Sequence, residues 1–250
     1  MKLFFCIPLV FLNMFLPQST YAQSQSKDDS VVNVINRLFE NFQTARDMSF
    51  DVNYSYSNES TPTVILDSLS GKFEMHGAKY HFFLDSTETI RNEHYTIVLF
   101  HEDKIMYLTK GTSNIAGNPV ESIAAFLKNN KSIDCSLSAE GGIQHVRINY
   151  PPSQEYKQIA ISFDIATGHI LKAVYIVQTK LLLEQDVVNN DPGASYDDYA
   201  RVEADFSNYR LPQSDTSVFD EQKFFYKEGT QYKTTEAFKD YKIFIGSSNL

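Results

Sequence analysis

From Phe50 the chain settles into a two-residue rhythm. Phe50, Val52, Tyr54 and Tyr56 alternate with Asp51, Asn53 and Ser55. Pleating sends successive strand side chains to opposite faces, so the pattern reads as a strand with one apolar and one polar side. The rhythm recurs along the chain, broken each time by a short turn. In "GKFEMHGAKYHFFL", Gly71 to Leu84, a turn on Gly77 and Ala78 sets Met75 opposite Tyr80 and Phe73 opposite Phe82. These four and Leu84 then share one face. Further strands read at "HYTIVLF" and "KIMYLT", at "SIDCSLS" and "IQHVRINY" about "EGG", at "KQIAISFDI" and "HILKAVYIVQTKLLL" about "ATG", and at "YARVEADFSNY". The tail from Ser217 adds a helical turn or two and a last strand. About eleven strands joined by short turns imply a mainly β (α+β) fold with antiparallel pairing. A strongly curved sheet with such an apolar inner face either fills itself or encloses an apolar ligand, and periodicity does not separate the two.

Two segments switch to helical spacing. Val31, Ile35, Leu38 and Phe42, joined by Val34 and Phe39, form a wide apolar face behind Asp28, Asp29 and Ser30, which supply capping oxygens and negative charge. "NPVESIAAFLKNN" reads as a second helix, with Asn118 as cap and Pro119 in the first position. No Pro-, Gly- or Ser-rich linker and no repeat interrupts the chain, so residues 23–250 are expected to form a single domain.

The first 22 residues have the form of a secretory signal peptide: Lys2, an apolar run from Leu3 to Leu16, then small residues before a cut after Ala22. The run is too short to span a bilayer comfortably, and no later segment reads as a membrane helix. Cys6 lies inside it, which disfavours a lipoprotein acylation site, and Cys135 is the one cysteine after the cut. A chain exported without a possible intramolecular disulfide fits the bacterial periplasm. With 31 acidic against 22 basic residues, the charge balance excludes nucleic acid as a partner and disfavours anionic headgroups.

Candidate chemistry is sparse. His76 and His81 lie opposite the aromatic stripe, near Lys72, Glu74 and Lys79, and read as the solvent side of a hairpin with Glu74 and His81 as a polar pair. Zinc needs three or four converging ligands, which this stretch does not offer. "HEDK", His101 to Lys104, has the residue types of a solvated hairpin tip. His94, His145 and His169 stand near no nucleophile, and Cys135 sits in an alternating strand as a structural thiol. The acidic loop from Glu184 to Asp198 lacks EF-hand spacing and reads as solvated. No nucleophile elbow, phosphate-binding loop or dinucleotide fingerprint occurs. The expectation is therefore no enzyme, no metal and no cofactor.

The order of elements carries a resemblance. An amphipathic helix, "MSFDVNYSYS", the G-K-F-x-x-x-G-x-K-Y hairpin, two strands, the helix "PVESIAAFL", then "FDIATGHILKA" and "FSNYRLPQSDTSVF" resemble the LolA-like family of periplasmic lipoprotein carriers, especially divergent Bacteroidota forms, over roughly residues 30–220. The resemblance implies a curved, unclosed antiparallel half-barrel, lidded by two or three helices over an apolar cavity for lipid or lipoprotein acyl chains. It makes Phe50, Val52, Tyr54, Phe73, Met75, Tyr80, Phe82 and Leu84 cavity-lining candidates. His81 stands where the carriers have an arginine that helps hold the lid, and is a lid-contact candidate. The following strand lacks the glycine and tryptophan usual in the carriers. The alternative on the same scaffold is an envelope assembly or structural factor, with a filled core and a surface for a protein partner.

Overall fold

The computed structural model describes residues 28–44, 47–111, 133–152, 154–183, 196–212 and 215–246. The expected leader, the expected helix at 118–130 and most of the acidic loop lie outside them. Helix α1 (Asp28–Thr44) forms where the helical spacing places it. The strands are β1 (Asp47–Asn58), β2 (Ile65–His76), β3 (Lys79–Leu84), β4 (Thr87–Arg91), β5 (Tyr95–Phe100), β6 (Ile105–Lys110), β7 (Asp134–Glu140), β8 (Ile143–Asn149), β9 (Tyr156–Asp164), β10 (Ile170–Gln178), β11 (Tyr199–Arg210), β12 (Phe225–Glu228), β13 (Gln231–Thr234) and β14 (Lys242–Ile245).

Twelve of them form one sheet in the order β14-β6-β5-β4-β3-β2-β1-β11-β10-β9-β8-β7, and β12 and β13 form a separate hairpin. The two end strands are not neighbours, so the sheet is unclosed and the fold mainly β, as expected. The sequence pattern passes over β4, whose Thr-Glu-Thr-Ile-Arg is short and mostly polar; it is held from both sides by ladders to β3 and β5. The β2–β3 hairpin has the expected register, Met75 opposite Tyr80 and Phe73 opposite Phe82. Gly77 closes its turn at φ 60°, a left-handed conformation that glycine adopts without cost. The last strand, β14, runs parallel to β6.

The chain divides into two compact units. The first holds α1, residues 53–69, β7 to β10 and β11 as far as Phe206. Its strands present two apolar rows to one side: Cys135, Ile148, Ile159, Tyr175 and Val202, and Leu137, Val146, Ile161, Ala173 and Ala204. Val31, Val32, Val34 and Ile35 of α1 bury against Ile133, Val146, Ile148 and Phe163, with Leu38, Cys135 and Leu137 flanking. Each fully buried side chain of this kind contributes about 1.5–3 kcal/mol, which is why so short a helix is held. The other side of β10 and β11 is mixed: Val174 and Ile176 are buried there, while Lys172 pairs with Glu203 and with Asp205, and Arg201 with Glu203.

The second unit holds residues 47–52, the hairpin partner strands from Ser70 through β6, and the chain from Ser207. Ile90, Ile97, Leu99, Met106 and Leu108 are fully buried beneath Phe219, Phe224 and Phe225. These last three come from a C-terminal segment of 3-10 turns at Ser217–Phe219, Glu221–Lys223 and Glu236–Phe238 with the β12–β13 hairpin between. Asn92 fastens it. Its Oδ1 accepts the backbone N–H of His94 and of Tyr95, while its Nδ2 donates to the Phe219 carbonyl at 3.0 Å and to Glu221 at 2.5 Å.

Candidate functional site

Strand β5, Tyr-Thr-Ile-Val-Leu-Phe, is nearly continuous in apolar character, and such a run forms where both faces of a sheet are covered. The register shows what each face carries. One side takes Ile90, Ile97 and Leu108 in line, and Glu88, Leu99 and Met106 in line, beneath the C-terminal segment. The other takes Phe73, Phe82, Thr89, Val98, Tyr107 and Phe244 in one cross-strand row from β2 to β14. This second row is only half-buried, and Tyr107 and Phe244 are 39% and 49% exposed. Leu84, Thr87, Phe100 and Ile105 form a parallel row beside it. Within this unit, then, the sheet is apolar on both faces and one of them stays partly open.

Toward β1 the half-buried row becomes a run of rings. Tyr209 lies 5.2 Å from Phe50, Phe50 stacks on Phe73 at 4.9 Å, and Phe73 meets Tyr80 at 5.8 Å and Phe82 at 6.2 Å. Offset ring pairs of this kind add about 0.5–1.5 kcal/mol each beyond their buried area. The next row, Met75, Tyr80, Arg91 and Thr96, brings a cation to the same face. Arg91 is buried, with its guanidinium carbon 5.9 Å from the centre of the Tyr80 ring. Burial pushes the Tyr80 phenol up, and Arg91 draws it partly back by charge and by a hydrogen bond. Of the eight lining candidates, Phe50, Val52, Met75 and Leu84 are buried and Phe73, Tyr80 and Phe82 half-buried, all in the second unit. Tyr54 belongs to the first unit and is buried, which pushes its phenol up to about 12.

The histidine face is not the solvent side that the sequence pattern implies. It is the face packed beneath the C-terminal segment, a cover that strand alternation alone does not reveal. His76 meets Phe219 edge-on at 5.6 Å and lies 3.4 Å from Asp47. His81 is bonded not to Glu74, which pairs with Lys72, but to Glu88. Glu88 accepts from His81 Nε2 at 2.8 Å on one oxygen and from His101 Nε2 at 2.9 Å on the other. His101 Nδ1 reaches the Tyr241 hydroxyl at 2.7 Å. The carboxylate can only accept, so both Nε2 atoms donate; the neutral Nε2–H tautomer of His101 leaves Nδ1 to accept the Tyr241 O–H. Partial burial raises the Glu88 carboxyl, but the bonds and charges of His81 and then His101 outweigh it and hold the group below its ordinary value. The "HEDK" tip is likewise not simply solvated, since Lys104 lies over the Tyr241 ring at 5.2 Å.

The remaining candidates stay apart from these groups. His94 pairs with Glu221, and His145 bonds Ser162. Cys135 is a half-buried thiol beside the α1 core. Among the described residues no three His, Cys, Asp or Glu side chains converge as metal ligands, and no helix is long and apolar enough to cross a membrane. The sequence reading missed Glu88, Arg91 and the row through Val98, Tyr107 and Phe244. The unbroken apolar run of β5 was the signal for the last.

No family model and no curated protein matches the chain. Solved structures do. An uncharacterized conserved protein from Thermus thermophilus is similar at 7% identity and a TM-score of 0.47, covering 86% of this chain and 99% of that one. A putative outer membrane lipoprotein-sorting protein domain from Vibrio parahaemolyticus is similar at 10% identity and a TM-score of 0.36, covering 78% and 98%. A LolA superfamily protein from Nitrosomonas europaea is similar at 8% identity and a TM-score of 0.32, covering 79% and 99%.

Proposed function

We propose that this is an exported, non-enzymatic periplasmic carrier, and that it holds an apolar ligand, lipid or lipoprotein acyl chains, against the half-buried face of the second unit. The observation that supports this reading is the row Phe73, Phe82, Thr89, Val98, Tyr107 and Phe244, apolar but not fully covered in a sheet whose opposite face is already filled. Large partly open apolar faces are disfavoured unless something occupies them. A ligand made of methylenes gains about 0.8 kcal/mol for each one buried and needs no specific polar partner, so this face requires no catalytic group. Arg91 beside Tyr80 supplies the one cation of the row that it occupies, Met75 to Thr96.

Native mass spectrometry of protein purified from its own envelope tests the reading. Co-purifying lipid is expected, together with uptake of a fluorescent fatty acid that falls at least several-fold when Val98 or Tyr107 is replaced by Asp. Protein that is consistently free of ligand and takes up no probe would sink it.

A further inference from the structure

The first unit has a cavity of about 250 Å³ whose walls include Tyr56, Leu66, Asp67, Leu182, Leu183 and Tyr196. At about 30 Å³ for a water-sized group, it holds roughly eight non-hydrogen atoms. Tyr196 is held in the wall by its neighbour. The Asp197 N–H donates to Asn58 Oδ1 at 3.0 Å, its carbonyl accepts Thr179 Oγ1 at 2.6 Å, and its carboxylate accepts the Ser60 N–H at 2.8 Å. These three bonds tie the approach to β11 to the segments where β1 and β10 end, so this wall is fixed without a guest.

The lining sets the class of guest. Asp67 is the one carboxylate among the described lining residues, and none of them is basic. Its Oδ1 accepts the Ser68 N–H at 2.7 Å, and among the described residues no Lys, Arg or His pairs with it. Lys157, on β9, is matched by Glu59. The charge of Asp67 acts inside the cavity: burial chiefly, then Tyr54, then Asp67 push the Tyr56 phenol upward. An anion would meet this carboxylate with no basic partner. A calcium ion takes about six to eight oxygens, where the described walls give one carboxylate among tyrosine and leucine. A polyhydroxyl guest needs many partners, yet Thr179 Oγ1 and Asn58 Oδ1 are already committed to Asp197. A primary ammonium carries three N–H donors to satisfy. A methylated ammonium has the charge without that demand. A carboxylate balances it, aromatic faces attract it, and leucine side chains bury its methyl groups.

We infer that this cavity is a binding site for a small methylated ammonium ion, with Asp67 opposing the charge, Tyr56 and Tyr196 supplying the aromatic wall, and Leu182 and Leu183 receiving the methyl groups. The site lies within the first unit and stands independently of the carrier reading for the second.

Choline and neohexanol share size and shape, and differ in that a quaternary carbon replaces the charged nitrogen. Each is titrated against the full chain and followed by saturation-transfer NMR. Choline is expected to bind about tenfold tighter than neohexanol. Asp67→Asn should weaken choline about tenfold and leave neohexanol unchanged. Tyr196→Leu should weaken choline several-fold, while Tyr196→Phe, which keeps the ring, should retain it. Equal affinity for the two probes, choline binding unchanged by Asp67→Asn, or no choline binding at all overturns the inference. An equal loss in Tyr196→Phe and Tyr196→Leu overturns it as well, since the ring would then not be what holds the cation. Fluorescent fatty-acid uptake on the same samples reports the carrier reading separately, and Asp67→Asn is expected to leave that uptake unchanged.

Discussion

Replacing Glu88 by Gln removes one charge and one acceptor while keeping the shape of the side chain. In the native protein both carboxylate oxygens accept an imidazole N–H, from His81 at 2.8 Å and from His101 at 2.9 Å. Hydrogen bonds to a charged group are worth about 1.5–3 kcal/mol each, and the Glu88 side chain is largely shielded. A glutamine offers one acceptor and turns an N–H₂ toward the second ring. That ring either loses its bond or changes tautomer, in which case Tyr241 must change from donor to acceptor at His101 Nδ1. One bond's worth is lost and the survivor is no longer charge-assisted, so about 2–3 kcal/mol is expected at pH 7.

The pH dependence follows from the sign of the Glu88 shift. Its folded-state pKa lies below the ordinary 4.5. The stabilisation is therefore complete above about pH 4.5 and is lost as pH falls through the lower, folded-state value. Once protonated, Glu88 has one donor and one acceptor oxygen, which is the valence of glutamine. Urea unfolding of both proteins between pH 7 and about pH 3.5, followed by far-UV circular dichroism, should show the gap between them closing toward the acid end. A gap that is absent at pH 7, or that stays constant down to pH 3.5, would refute the assignment of Glu88 as the ionised bridge between the two rings.

Ile35→Ala, on the buried face of α1, should cost about 2–5 kcal/mol through the cavity it leaves against Val146 and Phe163, measurable as a lower urea midpoint. Asn92→Ala strips the acceptor of two backbone N–H groups and the donor to the Phe219 carbonyl; about 2–4 kcal/mol and faster proteolysis within 215–246 are expected. Gly71→Ala would place a Cβ 2.6 Å from the Phe83 carbonyl and 2.9 Å from Leu84 Cδ1, so the β2–β3 ladder must shift, at a cost of about 1–3 kcal/mol in thermal or urea unfolding. Lys172→Met should change stability by less than about 1 kcal/mol despite its two carboxylate partners, because Lys172 and Asp205 are well exposed and Glu203 keeps Arg201 as a partner.

Much of the architecture was legible in one dimension because its determinants are local. The alternation of Phe50, Val52, Tyr54 and Tyr56 against polar neighbours specifies a strand, and α1 follows from Val31, Val34, Ile35 and Leu38 recurring on one helical face. The glycine turn at Gly77 specifies the β2–β3 register, with Phe73 facing Phe82. Period and turn chemistry belong to neighbouring residues, and no distant partner is needed to read them.

Which face is covered, and by what, is another matter. Alternation divides His76 and His81 from Phe73 and Tyr80, but the choice of the filled side depends on Phe219, Phe224 and Phe225, more than a hundred residues further on. The polar face of one hairpin thus became an interior, and Glu88, from a strand too short to announce itself, became the partner of both His81 and His101. The meeting of Leu66 with Leu182 and Leu183 about a cavity is likewise invisible in the chain. The physical reason is one of range: the backbone sets side-chain direction residue by residue, whereas burial and ion pairing depend on which remote segments the long-range packing brings together.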